Sequence, residues 1–309
     1  MHLRPLITVI YERAWDIFWN ITRNIIWNSV IYIMLGKEWS TKYKYYHDRL
    51  EPLFKLLRYL LVWLRGFTVM RIGKLALLIK SHWGTILTPP EVDAMVWLIR
   101  EIYFDQVYDG FYRLGGDDVV VDVGAHVGLF TLKVAGKVKR VIAVEPHPLN
   151  YGLLKLNITL NNLRNVIPIK VALSNYTGKA KLYQGSSITH TLGCQHFKSE
   201  PDEALDVDVE TLDSLLDKLG VSRVTFIKID VEGSELEVLK GSEKVLTVNK
   251  QLFLAIAAYH YPEELSEVAS FLQARGFKVF SNSNRAYVYA FKPHTPPRVS
   301  LGERLIEAL

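Results

Sequence analysis

Asp122, Glu145 and Asp230 each stand where a run of β-branched and apolar residues gives out, and His260 closes a further such run. Carboxylates at strand tips accept hydrogen bonds and attract cations, and an imidazole there can move a proton near neutral pH. Two of these acids belong to one unit. Val120-Val121-Asp122-Val123-Gly124-Ala125-His126-Val127-Gly128 reads as a strand, a glycine turn and a helix start; Val141-Ile142-Ala143-Val144-Glu145-Pro146 follows as a second strand. A unit of this kind binds a nucleoside-bearing cofactor. Its glycines let the backbone approach the ligand, and its second acid accepts hydrogen bonds from ribose hydroxyls. An ordinary buried strand–turn–helix is the plainer alternative.

The turn argues against a nicotinamide dinucleotide. A pyrophosphate needs bare amides at a helix start in a G-x-G-x-x-G spacing. Here the spacing is Gly124-x-x-x-Gly128, with His126 inside it and Asp122 two residues before it. That carboxylate would repel a pyrophosphate and would suit a cationic end, such as the amino group of S-adenosyl-L-methionine.

The elements that must position these residues follow from periodicity. Strands are expected near 119–124, 140–145, 166–172, 224–230, 251–258, 277–281 and 286–291. Helices are expected near 129–137, 149–162, 211–219, 234–247 and 262–275. The alternation predicts a mostly parallel seven-stranded sheet with an antiparallel edge strand, closed by a short turn at Asn282-Ser283-Asn284. Between Leu173 and Asp208 an insertion breaks the pattern, with strands at Lys179–Tyr183 and Asp206–Glu210 around a polar loop. Ligands sit over the carboxyl ends of the strands in such sheets, so the insertion is placed to cover a substrate.

The most specific string is Phe226-Ile227-Lys228-Ile229-Asp230-Val231-Glu232-Gly233-Ser234-Glu235-Leu236-Glu237-Val238-Leu239-Lys240-Gly241. With it the chain resembles the FkbM family of S-adenosylmethionine-dependent methyltransferases, which pair a D-V-G-A-x-x-G turn with a D-V-E-G-x-E-x-x-V-L-x-G string. Glu145-Pro146-His147-Pro148 with Asn157, Ala172-Leu173-Ser174 and Ala258-Tyr259-His260 agree in order, so the likeness spans roughly residues 100–292. It implies a Rossmann-like class I methyltransferase fold. It further implies that Asp122, Gly124 and Gly128 shape the methionine end of the cofactor site, with His126 in the same turn. Glu145 would hold the ribose, the backbone near Ala172 and Ser174 would flank the adenine, and Asp230 would lie where methyl donor and acceptor meet. A plainer role for Asp230 and Glu232 is to cap the helix that begins near Ser234.

Methyl transfer from a sulfonium asks the protein to align the acceptor and, for an alcohol, to remove its proton. His260 is the first candidate base and Asp230 the second, acting directly or through a divalent cation. His126 and His147 fit the turn and the helix start better than chemistry. No Asn/Asp-Pro-Pro-Tyr string follows the fourth strand and no Pro-Cys pair exists, which argues against methylation of base amino groups or base carbons. His190, Cys194 and His196 lack a fourth ligand nearby, so no metal site is expected there.

At 309 residues with 49% apolar and 22% charged side chains, the chain is long enough for one large α/β domain and an appendage. Its single cysteine excludes an internal disulfide and fits a reducing compartment. Of the net charge of +5, residues 1–83 carry +8 and the remainder −3, so no nucleic-acid partner is expected for the catalytic part. All seven tryptophans fall in the first 97 residues.

Residues 5–35, 53–65 and 67–79 read as helices, with the basic, aromatic Thr41–Tyr46 among them. They fit an in-plane membrane-surface region, with packing on the catalytic domain or a partner chain as the rival. A true span is disfavoured because Ile17–Gly36 carries Arg23 and three asparagines.

The expected organisation is therefore 1–88 helical, basic and aromatic; 89–292 methyltransferase; 293–309 a tail. The expected function is S-adenosylmethionine-dependent O-methylation of a hydroxyl on a sugar, glycolipid or other small molecule. The expected location is the cytoplasm, with residues 1–80 against the inner face of a membrane. A catalytically silent Rossmann-like binding module recruited to membranes is the alternative from another class, and a nicotinamide oxidoreductase a third.

Overall fold

The computed structural model describes residues 66–74, 76–184, 190–192, 204–282 and 286–292. The chain divides into two compact units, Met1–Thr68 and Val69–Leu309, and every site residue considered above falls in the second.

Seven strands form the central sheet: β4 (Val119–Val123), β5 (Arg140–Val144), β6 (Val166–Ile169), β11 (Phe226–Ile229), β12 (Phe253–Ala257), β13 (Lys278–Asn282) and β14 (Tyr287–Phe291). Their spatial order is β13-β14-β12-β11-β4-β5-β6. β4 pairs in parallel with both β5 and β11, so the strand order reverses at β4 and opens a crevice over its carboxyl end. The antiparallel member is β14, which lies between β12 and β13. The expected antiparallel edge is thus one place inside the edge, because β14 pairs with β12 on one side and β13 on the other.

Alternation along the strands sorts the two faces. Val119, Val121, Val123, Ile227, Ile229, Leu254 and Ile256 enter an aliphatic core. The helices α4 (Leu212–Lys218), α5 (Glu235–Lys240), α6 (Glu243–Val248) and α7 (Glu264–Gln273) add Leu215, Leu239, Leu246 and Leu272 to it. The other face is aromatic. Phe226 and Phe253 stack with centroids 5.6 Å apart, Tyr112 and Phe130 pack on them, and Tyr108 packs on Phe130. Asp122 and Lys228 lie on that same face as partners in adjacent strands. The expected single helix over 234–247 is two, α5 and α6, broken at Gly241-Ser242.

The first helix, α1 (Val92–Ile99), runs into a wide π-helical turn over Arg100–Phe104. The others on this side are α2 (Leu129–Ala135) and α3 (Pro148–Leu160). The insertion forms its own sheet in the order β7-β10-β8-β9, from β7 (Ala172–Leu173), β8 (Gly178–Gln184), β9 (His190–Thr191) and β10 (Ala204–Glu210).

The helical expectation fails at the end of the amino-terminal region. Residues 68–88 hold β1 (Thr68–Ile72), β2 (Ala76–Ser81) and β3 (Gly84–Thr88) in a three-stranded sheet. Leu77 and Ile79 are buried between less buried neighbours, a period of two that outweighs the apolar run read as helix. The division between the two compact units falls at Thr68 and Val69, at the start of β1. β3 is held by α3: Asn157 exchanges two hydrogen bonds with the Leu87 backbone, and Asn161 does the same with Thr85. The readings for residues 1–65, for Cys194 and His196, and for the tail 293–309 lie outside the described residues. Among the described residues, no helix is long and apolar enough to cross a membrane.

Candidate active site

A cavity of about 240 Å³ opens over the carboxyl ends of β4, β5, β11 and β12. Its wall includes Gly124, Ala125 and His126 from the first turn, and Glu145 and Pro146 after β5. Ala172 and Leu173 come from β7, and Lys228, Asp230 and Glu232 from β11 and its turn. Leu182 and Leu192 of the insertion close one side, and Trp97, Glu101, Tyr108 and Tyr259 the other.

The first turn shows why its residue types are needed. Gly124 has φ +74, and a Cβ there would stand 1.8 Å from the carbonyl oxygen of Asp230. The turn is therefore wedged against the end of β11. Glu145 braces it from the other side: its Oε2 accepts from the His126 amide at 2.8 Å and its Oε1 from the His147 amide at 2.9 Å. Each carboxylate oxygen keeps a lone pair, and the residue lines the cavity, so the group fits a pair of ribose hydroxyls. Burial pushes Glu145 up to about 7 despite its two amide donors. Beside it the wall is apolar, from Val144, Pro146, Ala172, Leu173 and Leu182, and suits the faces of a purine. The donor set thus fits S-adenosyl-L-methionine.

Asp122 is placed differently from its expected role. It is fully buried beneath the turn and does not line the cavity. Its Oδ2 accepts from the Thr131 hydroxyl at 2.6 Å, and its Oδ1 lies 3.2 Å from the Lys228 ammonium. Lys228 in turn donates to the Gly124 carbonyl at 2.6 Å, tying β11 to the glycine turn. Burial works against the Lys228 charge, but Asp122 and Asp230 outweigh it and hold its pKa above the usual lysine value. Gly128 caps α2 with φ +94 rather than lining the cavity, and Ser174 is buried behind Ala172 and Leu173. His147 caps α3, as expected.

At the far end, Asp230 faces the cavity, and its Oδ2 accepts from the Tyr108 hydroxyl at 2.7 Å. Glu101, also on the wall, accepts a short hydrogen bond from Tyr287, and burial pushes it up to about 7. Glu232 is pushed up to about 8 by burial and by the neighbouring Asp230 charge. His260 stands behind this pair. Its Nε2 is 3.7 Å from Asp230 Oδ1 and 3.6 Å from Glu232 Oε2, and its Nδ1 is 3.1 Å from Glu264 Oε2. Burial lowers the imidazole pKa, but Glu264, Glu235, Asp230 and Glu232 together overcome that and raise it to about 10.

Neither Asp230 nor Glu232 caps α5. Glu235 shapes their turn instead, accepting from the Val231 amide at 2.8 Å and the Gly233 amide at 2.9 Å. The string ends at Gly241 because a Cβ there would meet the Ser174 carbonyl oxygen at 2.0 Å. Lys228, Glu101, Tyr108 and Tyr259 were not among the expected site residues. A lysine inside the strand Phe226–Ile229, in phase with Asp230, is a readable signal. Glu101 and Tyr108 carry none, since they reach the site from a helix and turn outside the recognisable motifs.

The strand order reverses at β4 and a cavity opens there, the architecture of a class I methyltransferase. The methyltransferase FkbM domain model matches residues 122–279, and the chain belongs to that family of S-adenosylmethionine-dependent enzymes. Methyltransferase sdnD of Sordaria araneosa is 31% identical over 182 residues, covering 48% of this chain and 69% of its own. Hexuronic acid methyltransferase AglP of Haloferax volcanii is 30% identical over 184 residues, covering 57% of this chain and 72% of its own. The structure of M. jannaschii TYW2 in complex with AdoMet aligns with a TM-score of 0.41 at 15% identity, over 73% of this chain and 90% of that one.

Proposed function

We propose that this methyltransferase acts on a hydroxyl group of a sugar-like or other small acceptor. The observation that carries the reading is the acidic end of the cavity. Asp230, Glu232 and Glu101 line the cavity together and offer acceptors for a polyol's hydroxyls. Two relatives point the same way by name: AglP is a hexuronic acid methyltransferase, and the FkbM protein of Streptomyces tacrolimicus, 26% identical over 220 residues, is a 31-O-demethyl-FK506 methyltransferase. Residues 1–80, basic and aromatic, remain the proposed contact with a membrane surface.

In this reading Glu145 holds the ribose hydroxyls and Ala172 and Leu173 flank the adenine. The Gly124–His126 turn passes the methionine end, and Asp122 acts through Lys228 rather than by touching the ligand. Bound S-adenosylmethionine supplies an electrophilic methyl group. Asp230 is the proton acceptor that meets the cavity. Four carboxylates surround His260 and raise its pKa to about 10, so it holds its proton rather than taking one from the acceptor. Tyr108 fixes the direction of the Asp230 carboxylate.

The test is transfer of labelled methyl to a panel of uronic acids, hexoses and macrolide alcohols. Asp230→Asn is expected to slow turnover by roughly 10²- to 10⁴-fold, the scale of general base catalysis, with affinity for S-adenosylhomocysteine changed only a few-fold. Label found on nitrogen or carbon, or full activity in Asp230→Asn, would remove the reading.

A further inference from the structure

We propose that Asp230, Glu232 and His260 form a binding site for one first-row divalent cation, with its open coordination positions turned toward the cavity. One ligand atom from each of the three residues lies within 4.8 Å of the other two. His260 Nε2 is 3.7 Å from Asp230 Oδ1 and 3.6 Å from Glu232 Oε2. Metal–ligand bonds of ~2.1 Å put neighbouring ligand atoms roughly 3.0–3.4 Å apart, so the two separations from His260 need to shorten by only a few tenths of an ångström to share one ion.

The second observation is independent of the acidic count. His260 Nε2 and Asp230 Oδ1 are buried polar atoms with no hydrogen-bond partner among the described residues, and the His260 side chain is only 7% exposed. Buried polar atoms are ordinarily satisfied, and an orphaned pair aimed at each other marks a missing third party. The ring is also held for this purpose. Glu264 accepts from the His260 backbone amide at 2.8 Å and stands 3.1 Å from Nδ1, which fixes the tautomer that leaves the Nε2 lone pair bare. A carboxylate behind the distal ring nitrogen is the usual support of a metal-ligating histidine. Lys228, 4.0 Å from Asp230 Oδ2, and the Tyr108 hydroxyl occupy the other side of that carboxylate and leave Oδ1 for the ion.

Two oxygens and one imidazole nitrogen suit Mn²⁺, Fe²⁺ or Zn²⁺ better than Mg²⁺, which prefers an all-oxygen shell. In the cation's absence the imidazolium balances the acids; with the cation bound, the imidazole is neutral. The consequence for chemistry rests on the hydroxyl-acceptor reading above. An acceptor hydroxyl on an open position is acidified by the ion. Its proton would pass by way of the Asp230 carboxylate to bulk buffer, the oxygen would take the methyl group, and the sulfonium would become a thioether.

The test is titration of the full chain, stripped with a chelator and dialysed, with MnCl₂, read by electron paramagnetic resonance without methyl donor or acceptor. One Mn²⁺ per chain is expected. Glu232→Gln and His260→Ala should each weaken it at least ~10-fold, and Glu264→Gln by roughly 10- to 100-fold. Zn²⁺ should displace the ion and equimolar Mg²⁺ should not. Circular dichroism checks that each variant is folded, and Glu232→Gln, whose side chain is 27% exposed, decides the matter if His260→Ala does not fold. No saturable binding, or unchanged affinity in Glu232→Gln, would overturn the site. Mn²⁺ bound without methylation of any hydroxyl upholds it and sinks the acceptor reading. Hydroxyl methylation untouched by chelation, with no Mn²⁺ bound, does the reverse.

Discussion

Asp122 and Glu145 have the same position in sequence terms, each an acid at the end of a buried strand, yet they do different work. Glu145 reaches the cavity wall; Asp122 is spent on Lys228 and Thr131. Removing one partner of a buried ion pair strands the other charge, which costs about 3–5 kcal/mol. Asp122→Ala is therefore expected to lower unfolding stability by that order in chemical denaturation, while the protein that remains folded still binds S-adenosylhomocysteine. A variant of unchanged stability would place Asp122 elsewhere. The distinction was not legible in the sequence, because Lys228 pairs with Asp122 only through strand register 106 residues away. What was legible was the acid's presence at a strand tip; which way its charge is spent depends on the neighbour across the sheet.

At the scale of elements, the motif residues that look chemical often turn out to fix geometry. Glu235 closes the Asp230–Gly233 turn, and Gly241 allows α5 to abut the Ser174 backbone. Asn157 laces α3 to β3 and to the Val127 carbonyl inside the glycine turn. Asn157→Ala leaves the Leu87 amide, the Leu87 carbonyl and the Val127 carbonyl without their partner, at about 1–3 kcal/mol for each buried group. The expected result is a large drop in melting temperature. Gly136→Ala, whose added Cβ meets nothing within 4 Å, is expected to be neutral or stabilising. Equal melting temperatures for the two variants would contradict this account of α3. Strand and helix positions in 119–291 were readable from periodicity because the sheet is buried on both faces and its helices pack on one stripe. The sheet over 68–88 was missed: its run of leucines and isoleucines fits both periods, and only the partner amides of α3 decide between them.

Across the whole molecule, the site concentrates groups whose charge burial disfavours, and that has a sign. Glu101 and Glu145 near 7 and Glu232 near 8 bind protons in the folded state that their unfolded counterparts release near 4.5. Between about pH 5 and 8 the folded state therefore holds more protons, and stability falls as pH rises. His260, raised to about 10, adds to the decline above its ordinary value of 6.5. The unliganded, cation-free chain should melt at progressively lower temperature from pH 5 to pH 8. Glu101→Gln should flatten that slope by removing a penalty of about 3 kcal/mol at the alkaline end; a melting temperature that climbs toward pH 8 would refute the ledger of charges. None of this was readable from composition, since the relevant acids come from three separate stretches of chain and become coupled only in the fold. The same gathering is the basis of the central claim, that one crevice over β4 holds the methyl donor with Glu145 on its ribose. Calorimetric titration with S-adenosylhomocysteine measures it most directly. The account predicts saturable binding at one site in the full chain and a loss of roughly 10²- to 10⁴-fold in Glu145→Ala, the worth of two hydrogen bonds to a buried carboxylate. Binding of equal strength in both proteins, or none in the full chain, would contradict it.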